Sequence, residues 1–252
     1  MRSLGRARIV IWEGACLWVA EANRGFAEPG WHAHHAIQLT FLLEGEAEMS
    51  TVEERLASPA IGIDADLRHS LAIRGSAAIL FIEPESRPGV ALRSRLFAAQ
   101  RFRALPISGL EPVLEALAQA WKDNAPRATF EGLGKSLLAQ VSGGADVRGP
   151  DERVLRLLGE IGRRIDGPVS IEDVRHGINL SSSRLRHLFA EQTGLAFKTY
   201  VLWRRLMRAV ELMAEGASPT EAAHEAGFAD SAHFSRTFRR TFGMPATTLD
   251  VI

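Results

Sequence analysis

Residues Ser170–Gly194 read SIEDVRHGINLSSSRLRHLFAEQTG, and residues Ser218–Gly243 read SPTEAAHEAGFADSAHFSRTFRRTFG. The two stretches are imperfect copies of one pattern. Each opens on a serine suited to capping a short helix; in the first copy Glu172 and Asp173 follow, where the helix dipole favours acids. Each then turns at a glycine, Gly177 or Gly227, and enters a second helix with an apolar i, i+4 pair, Leu185/Phe189 or Phe234/Phe238. Each second helix stops at a glycine, Gly194 or Gly243, which suits a left-handed C-terminal cap. A short helix, a tight turn and a second helix packed across the first is helix-turn-helix geometry. Burying the apolar pairs turns Ser183, Arg186 and His187 outward in the first copy. In the second it turns out Ser231, Ala232, Ser235, Arg236 and Arg239. Short hydroxyls beside arginines fit a DNA major groove, where arginine pairs with guanine and with backbone phosphates.

The flanking sequence is helical too. Asp151 can cap a helix running through Ile165, with Val154, Leu155, Leu158 and Ile161 as its apolar stripe and Gly167-Pro168 as its stop. Phe197–Ala214 predicts a long helix between the two copies. The run Ser142–Pro150, SGGADVRGP, has linker composition. Domains are therefore expected at 1–142 and 151–252, with a linker over 143–150.

Together, LSSSRLRHLFAEQTG and GFADSAHFSRTFRRTFG at this separation resemble the AraC/XylS transcription regulators, over Val154–Ala246. The resemblance implies two recognition helices joined by the linker helix Phe197–Ala214, set about one DNA turn apart, roughly 34 Å, on one face of the duplex. It implies that Ser183, Arg186 and His187, and Ser231, Ala232 and Arg236, occupy base- or phosphate-contacting positions. It also implies promoter DNA, a small-molecule effector, RNA polymerase and a second copy of the chain as partners. Some positions depart from the pattern. Ala232 stands where a polar residue is common, Arg175 where a small buried one is usual, and Pro219 where an apolar one is usual. The chain ends soon after GMPATTL, so a short last helix is expected.

The first third has a different texture. The runs IVIW, CLWVA, IQLTFLL and AILFIE between Ile9 and Glu83 are short and β-like, punctuated by EPG, EGE and SPA. They predict a sandwich or barrel. Helical spacing follows in Val90–Leu105, Pro112–Trp121 and Phe130–Val141; these stripes pack on the barrel or pair two protomers. The fold class expected is α+β in two domains: a cupin-like β-barrel with following helices, then an all-α double helix-turn-helix domain.

His32, His34 and Gln38, with Gly45 farther on, resemble a first cupin motif with Gln in place of Glu, and His69 falls where a second motif has its histidine. Alternate strand residues share a face, so His32, His34 and His69 could converge inside a barrel, where imidazoles suit Zn, Ni or Fe. The acidic ligand is missing, so the expectation is a sensor barrel without metal or other cofactor, lined by Arg24, Trp31, His32, His34, Gln38 and His69. His35 and Phe41 are further candidates. The alternative is a metal-dependent cupin enzyme tethered to a DNA-binding domain; a third reading is an architectural DNA binder without sequence preference. No catalytic residue is assigned.

Bulk composition adds limits. The 252 residues are 46% hydrophobic and 24% charged with zero formal net charge, so any DNA-binding charge is local. The one cysteine, Cys16, excludes an internal disulfide and lies in an apolar run, as a buried structural thiol would. The absence of a signal-peptide pattern and of a membrane-length apolar stretch leads to an expectation of a cytoplasmic protein.

Overall fold

The computed structural model describes residues 5–22, 30–143 and 149–251. They divide into two compact units, one of residues within 1–147 and 238–252, the other of residues within 148–237. The first division falls in the expected linker. The second does not fall where the sequence suggested: the last stretch of the expected 151–252 domain belongs with the N-terminal unit.

The first unit is built on one eight-stranded sheet. Its strands are β1 (Gly5–Trp12), β2 (Ala15–Ala22), β3 (Ile37–Thr51), β4 (Arg55–Ala57), β5 (Ala60–Ile63), β6 (His69–Ile82), β7 (Phe102–Ala104) and β8 (Leu249–Val251). The order is β7-β5-β3-β6-β2-β1-β8, with β4 on β3. All pairs are antiparallel except β1 with β8. The two longest strands, β3 and β6, bend together where Gly45 faces Gly75 beside a register shift at Leu42/Glu44. A Cβ on Gly45 would lie 1.9 Å from the Arg74 carbonyl oxygen, and one on Gly75 2.1 Å from that of Glu44. With φ of +94° and +112°, only glycine fits either place. The bend curls the sheet on which this unit is built.

Both faces of the central strands are covered, which explains their unbroken apolar runs. Leu17 and Val19 of β2, Leu39 and Phe41 of β3, and Leu80 and Ile82 of β6 pack outward on the helices. Those helices are α1 (Arg87–Leu92), which continues as a π-type turn over Arg93–Phe97, then α2 (Glu111–Lys122) and α3 (Arg127–Ser142). Val113 and Leu117 of α2 and Phe130 and Leu137 of α3 are buried there, so the stripe of α2 is used on the barrel. The helix expected over Val90–Leu105 stops at Phe97. Phe102–Ala104 instead extends the sheet, pairing with Ile61–Ile63, because an edge strand was there to be completed. The expected short last helix is a 3-10 turn, Ala246–Thr248, followed by β8 on β1.

The second unit is helical: α4 (Glu152–Arg163), α5 (Ile171–Val174), α6 (Ser182–Thr193), α7 (Phe197–Ala214) and α8 (Pro219–Glu225). The helix α9 (Ser231–Phe242) crosses the division, its residues from Phe238 on counting with the first unit. Asp151 caps α4 as expected. The buried stripe is Val154, Leu157 and Ile161, while Leu155 is 46% exposed, so Leu157 replaces Leu155 and Leu158 as the core position. The helix ends at Arg163, short of Ile165; beyond it the carbonyls of Ile165 and Gly167 accept hydrogen bonds from the Arg205 guanidinium.

Candidate nucleic-acid interface and barrel site

Each repeat builds its presenting helix the same way. Ser170 caps α5 and Ser218 caps α8, each in a reciprocal capping box, with Asp173 and Glu221 respectively. Pro219 sits in the first turn of α8, where its missing N–H costs nothing. Gly177 and Gly227 make the turns at φ of +77° and +75°. Ser181 caps α6, and Asp230 accepts from the His233 amide at the start of α9. Leu185 and Phe189 are fully buried, and Phe189 meets Phe197 and Tyr200 edge-on at 5.6 and 5.3 Å. Phe234 is likewise buried and meets Phe228 at 5.3 Å. These rings fix which side of each helix faces inward.

The outward faces hold the residues singled out in the sequence. Ser183, Arg186 and His187 on α6, and Ser231, Ala232, Ser235, Arg236 and Arg239 on α9, are all exposed. Arg186 donates to Glu172 of α5 at 2.7 Å, and both side chains are about half exposed. Its acidic partner was not foreseen, although Glu172 stands in a helix first turn. The Arg175 side chain is exposed and donates to the Leu180 carbonyl at 3.2 Å, so it spans the turn instead of entering the core. Arg205 is structural, holding the Ile165 and Gly167 carbonyls at 3.2 and 2.6 Å, and Arg208 pairs with Glu211.

In the first unit the histidines converge. Strand-like bonds join His32 and His69, amide to carbonyl in both directions at 2.9 Å. One ring nitrogen from each of His32, His34 and His69 lies within 4.8 Å of the others, and all three residues are buried. The Nδ1 atoms of the three rings contact the carbonyl oxygens of Gly30, Ala36 and Leu67 at 2.8, 3.0 and 2.8 Å. A carbonyl only accepts, so Nδ1 carries the proton in each ring. Burial pushes all three basicities down, that of His34 to about 4, which favours neutral rings with Nε2 as the acceptor nitrogen. Gln38 is buried against them, its Oε1 at 2.9 Å from His34 Nε2 and 3.3 Å from His69 Nε2, while its Nε2 donates to Thr40 Oγ1.

The other candidates separate. Trp31 is 47% exposed. Phe41 lies on the opposite strand face from Gln38, in the core under the helices. Arg24 lies outside the described residues. His35 points away from its neighbours, between Asp66 and Glu85, each at 3.2 Å. Burial opposes its charge, but hydrogen bonds and charge from the two carboxylates outweigh burial and raise it to about 9. Alternation accounts only for Gln38 and Phe41, which lie within β3 on opposite faces; His32, His34 and His35 precede that strand, where His32 makes an isolated bridge to His69. Cys16 is buried, and burial pushes its thiol up to about 12, as expected of a structural cysteine. A small cavity of about 40 Å³ is bordered by Trp18, His32, Gln38, Phe81, Phe242 and Met244 among others.

Residues 176–250 match the family described as a helix-turn-helix domain. The chain is 36% identical over 78 residues to the uncharacterized HTH-type transcriptional regulator YpdC of Escherichia coli, and 40% identical over 75 residues to the HTH-type transcriptional activator RhaS of Escherichia coli. These matches take in 31% and 29% of this chain and span 27% of each of those proteins. It is 24% identical to the probable transcriptional regulator LumQ of Photobacterium leiognathi, over 86% of this chain and 90% of that one. An apo form of ToxT from Vibrio cholerae shares the fold, with a TM-score of 0.58, 13% identity, and coverage of 94% of this chain and 96% of that one. ToxT bound to a methylnaphthalenyl butenoic acid superposes at 0.54 with 13% identity, covering 98% of this chain and 97% of that one. No helix among the described residues is long and apolar enough to cross a membrane.

Proposed function

With its residues 176–250 an AraC-type helix-turn-helix region, we propose that this chain is a sequence-specific regulator of transcription whose N-terminal barrel takes up a small controlling ligand. The observation that carries the reading is the duplicated unit itself: two capped helix-turn-helix pairs, each with an exposed hydroxyl-and-arginine face, joined by the 18-residue α7. At 1.5 Å per residue such a helix is about 27 Å long, a spacer on the scale of one DNA turn, roughly 34 Å. Arginines and helix N-termini anchor phosphates, while Ser183, Arg186, His187, Ser231, Ala232, Ser235, Arg236 and Arg239 face the groove. Ala232 would offer only an apolar contact, suited to a thymine methyl. ToxT in complex with a carboxylic acid on the same overall fold supports ligand control here, as does the polar cluster buried inside the barrel.

A homodimer, contact with RNA polymerase and a cytoplasmic location belong to the same proposal, by analogy with regulators of this kind. The proposal is non-enzymatic: the residues brought together suit binding. Purified full-length protein, incubated with fragmented genomic DNA at fixed salt, should retain a small set of fragments at least about a thousandfold better than bulk DNA. Retention of all fragments alike would indicate an architectural binder instead.

A further inference from the structure

We propose that the ligand controlling this barrel is a divalent transition-metal ion, held by His32, His34 and His69 with Gln38 completing the set. This rests on the regulator reading above for its consequence, but not for the site. Four observations point to it.

Three buried imidazoles have Nδ1 tied to backbone carbonyls, which fixes their tautomer and leaves Nε2 as the outward lone pair. That backbone tie is the outer-shell arrangement that orients metal-binding histidines. Second, Gln38 Oε1 faces the lone pairs of His34 and His69 at 2.9 and 3.3 Å. This sets acceptor against acceptor, and there are two ways to relieve it. Turning the amide over lets its NH2 donate to both rings while Thr40 Oγ1 donates to Oε1; a cation at the focus satisfies the four acceptors as they stand. Third, the ring nitrogens lie within 4.8 Å of each other, so closing to a tetrahedral set at about 2.0–2.1 Å from the ion needs a movement of about 1 Å per ring. Fourth, the cavity of about 40 Å³ is far below the roughly 300–1,000 Å³ of sites for drug-sized ligands. His32 and Gln38 border it.

The donor set chooses the ion. Neutral nitrogens and one amide oxygen suit Zn2+, Ni2+ or Cu2+ and disfavour Mg2+ and Ca2+, which need oxygen anions. Gln38 also argues for a reversible ligand over a permanent cofactor. A carboxylate in its place would be a buried, uncompensated charge whenever the ion left, whereas the amide turns over and satisfies the empty rings. The ion has a route to the C-terminal end of α9 within the same unit. His32 Nδ1 donates to the Gly30 carbonyl, and the Gly30 amide donates to the carbonyl of Gly243, the residue that follows α9. A Cβ on Gly243 would stand 2.7 Å from His32 Nδ1, so the ring and the end of α9 are in direct register.

The test uses chelator-treated full-length protein titrated with Co2+, followed by its visible absorption, and with Zn2+ in competition. DNA retention is measured with and without the ion. One ion per chain is expected, lost in His34→Asn and His69→Asn but kept in a His176→Ala/His224→Ala control. Gln38→Glu should tighten binding by roughly tenfold or more, through the added charge, and it decides the matter even if the histidine variants fail to fold. Binding that survives both histidine changes, or is unmoved by Gln38→Glu, overturns the site. An ion bound at the site that leaves DNA affinity unchanged overturns its regulatory role. A chain that takes the ion and selects no DNA refutes the regulator reading and keeps the site; one that selects DNA and takes no ion does the reverse.

Discussion

Replacing Glu172 by Gln should tighten DNA binding, and the structure sets the size of the effect. Glu172 holds Arg186 at 2.7 Å, with side chains 55% and 52% exposed. Solvent on both sides means the pair stabilises the fold little, so the melting temperature should stay where it is. On DNA, phosphates or a guanine edge compete with Glu172 for the same guanidinium. Removing the competitor should raise affinity by on the order of two- to fivefold, the strength of an exposed pair. Arg186→Ala should weaken binding by about 5- to 150-fold and relax the preferred sequence at one position. Fluorescence anisotropy on a retained fragment, at fixed salt, gives all four corners of the cycle. The gain from Glu172→Gln must shrink when Arg186 is absent. An equal gain with and without Arg186 would mean that only general repulsion of phosphates was relieved, and that Arg186 does not touch DNA.

Phe189→Ala empties a fully buried ring site between Phe197 and Tyr200. It should cost about 3–5 kcal/mol by denaturant titration; a loss under 1 kcal/mol would show that α6 is not anchored there. Arg205→Met removes two hydrogen bonds to the Ile165 and Gly167 carbonyls. It should lower stability by about 1–3 kcal/mol with an unchanged salt slope of DNA binding, whereas a shallower slope would make Arg205 a phosphate contact. Stability should also pass through a maximum near neutral pH. His35, raised to about 9, contributes fully below about pH 6.5 and loses up to about 3 kcal/mol as pH rises to 9. His34, lowered to about 4, contributes fully above about 6.5 and loses a similar amount, about 3 kcal/mol, as pH falls to 4. Stability that rises steadily from pH 7 to 9 would contradict the buried imidazolium.

The second unit was largely legible in sequence because its signals are local. Serine caps, turn glycines and aromatic pairs at i, i+4 are all settled within a few residues, and α7 runs from Phe197 to Ala214 as expected. The barrel was less legible because its decisive facts are long-range. Phe102–Ala104 has helix-compatible spacing, yet its fate was set by an open edge at Ile61–Ile63. Leu249–Val251 joins β1 from the far end of the chain, which no window of sequence reveals. The histidine cluster was half visible: the motif spacing singles out residues 32, 34 and 38, although only Gln38 lies in a strand, and the His32–His69 pairing brings in the third ring. The exposed Arg186–Glu172 pair left no sequence mark, since residues 14 apart meet only after the turn at Gly177 has formed.

The most direct test of the central claim is quantitative binding of the full-length chain to a fragment it enriches from genomic DNA, beside a shuffled control of the same length. The account predicts preference for the enriched fragment, with protection of two successive major-groove segments on one face of the duplex. Equal affinity for both duplexes, or no binding to either even at low ionic strength, would contradict it.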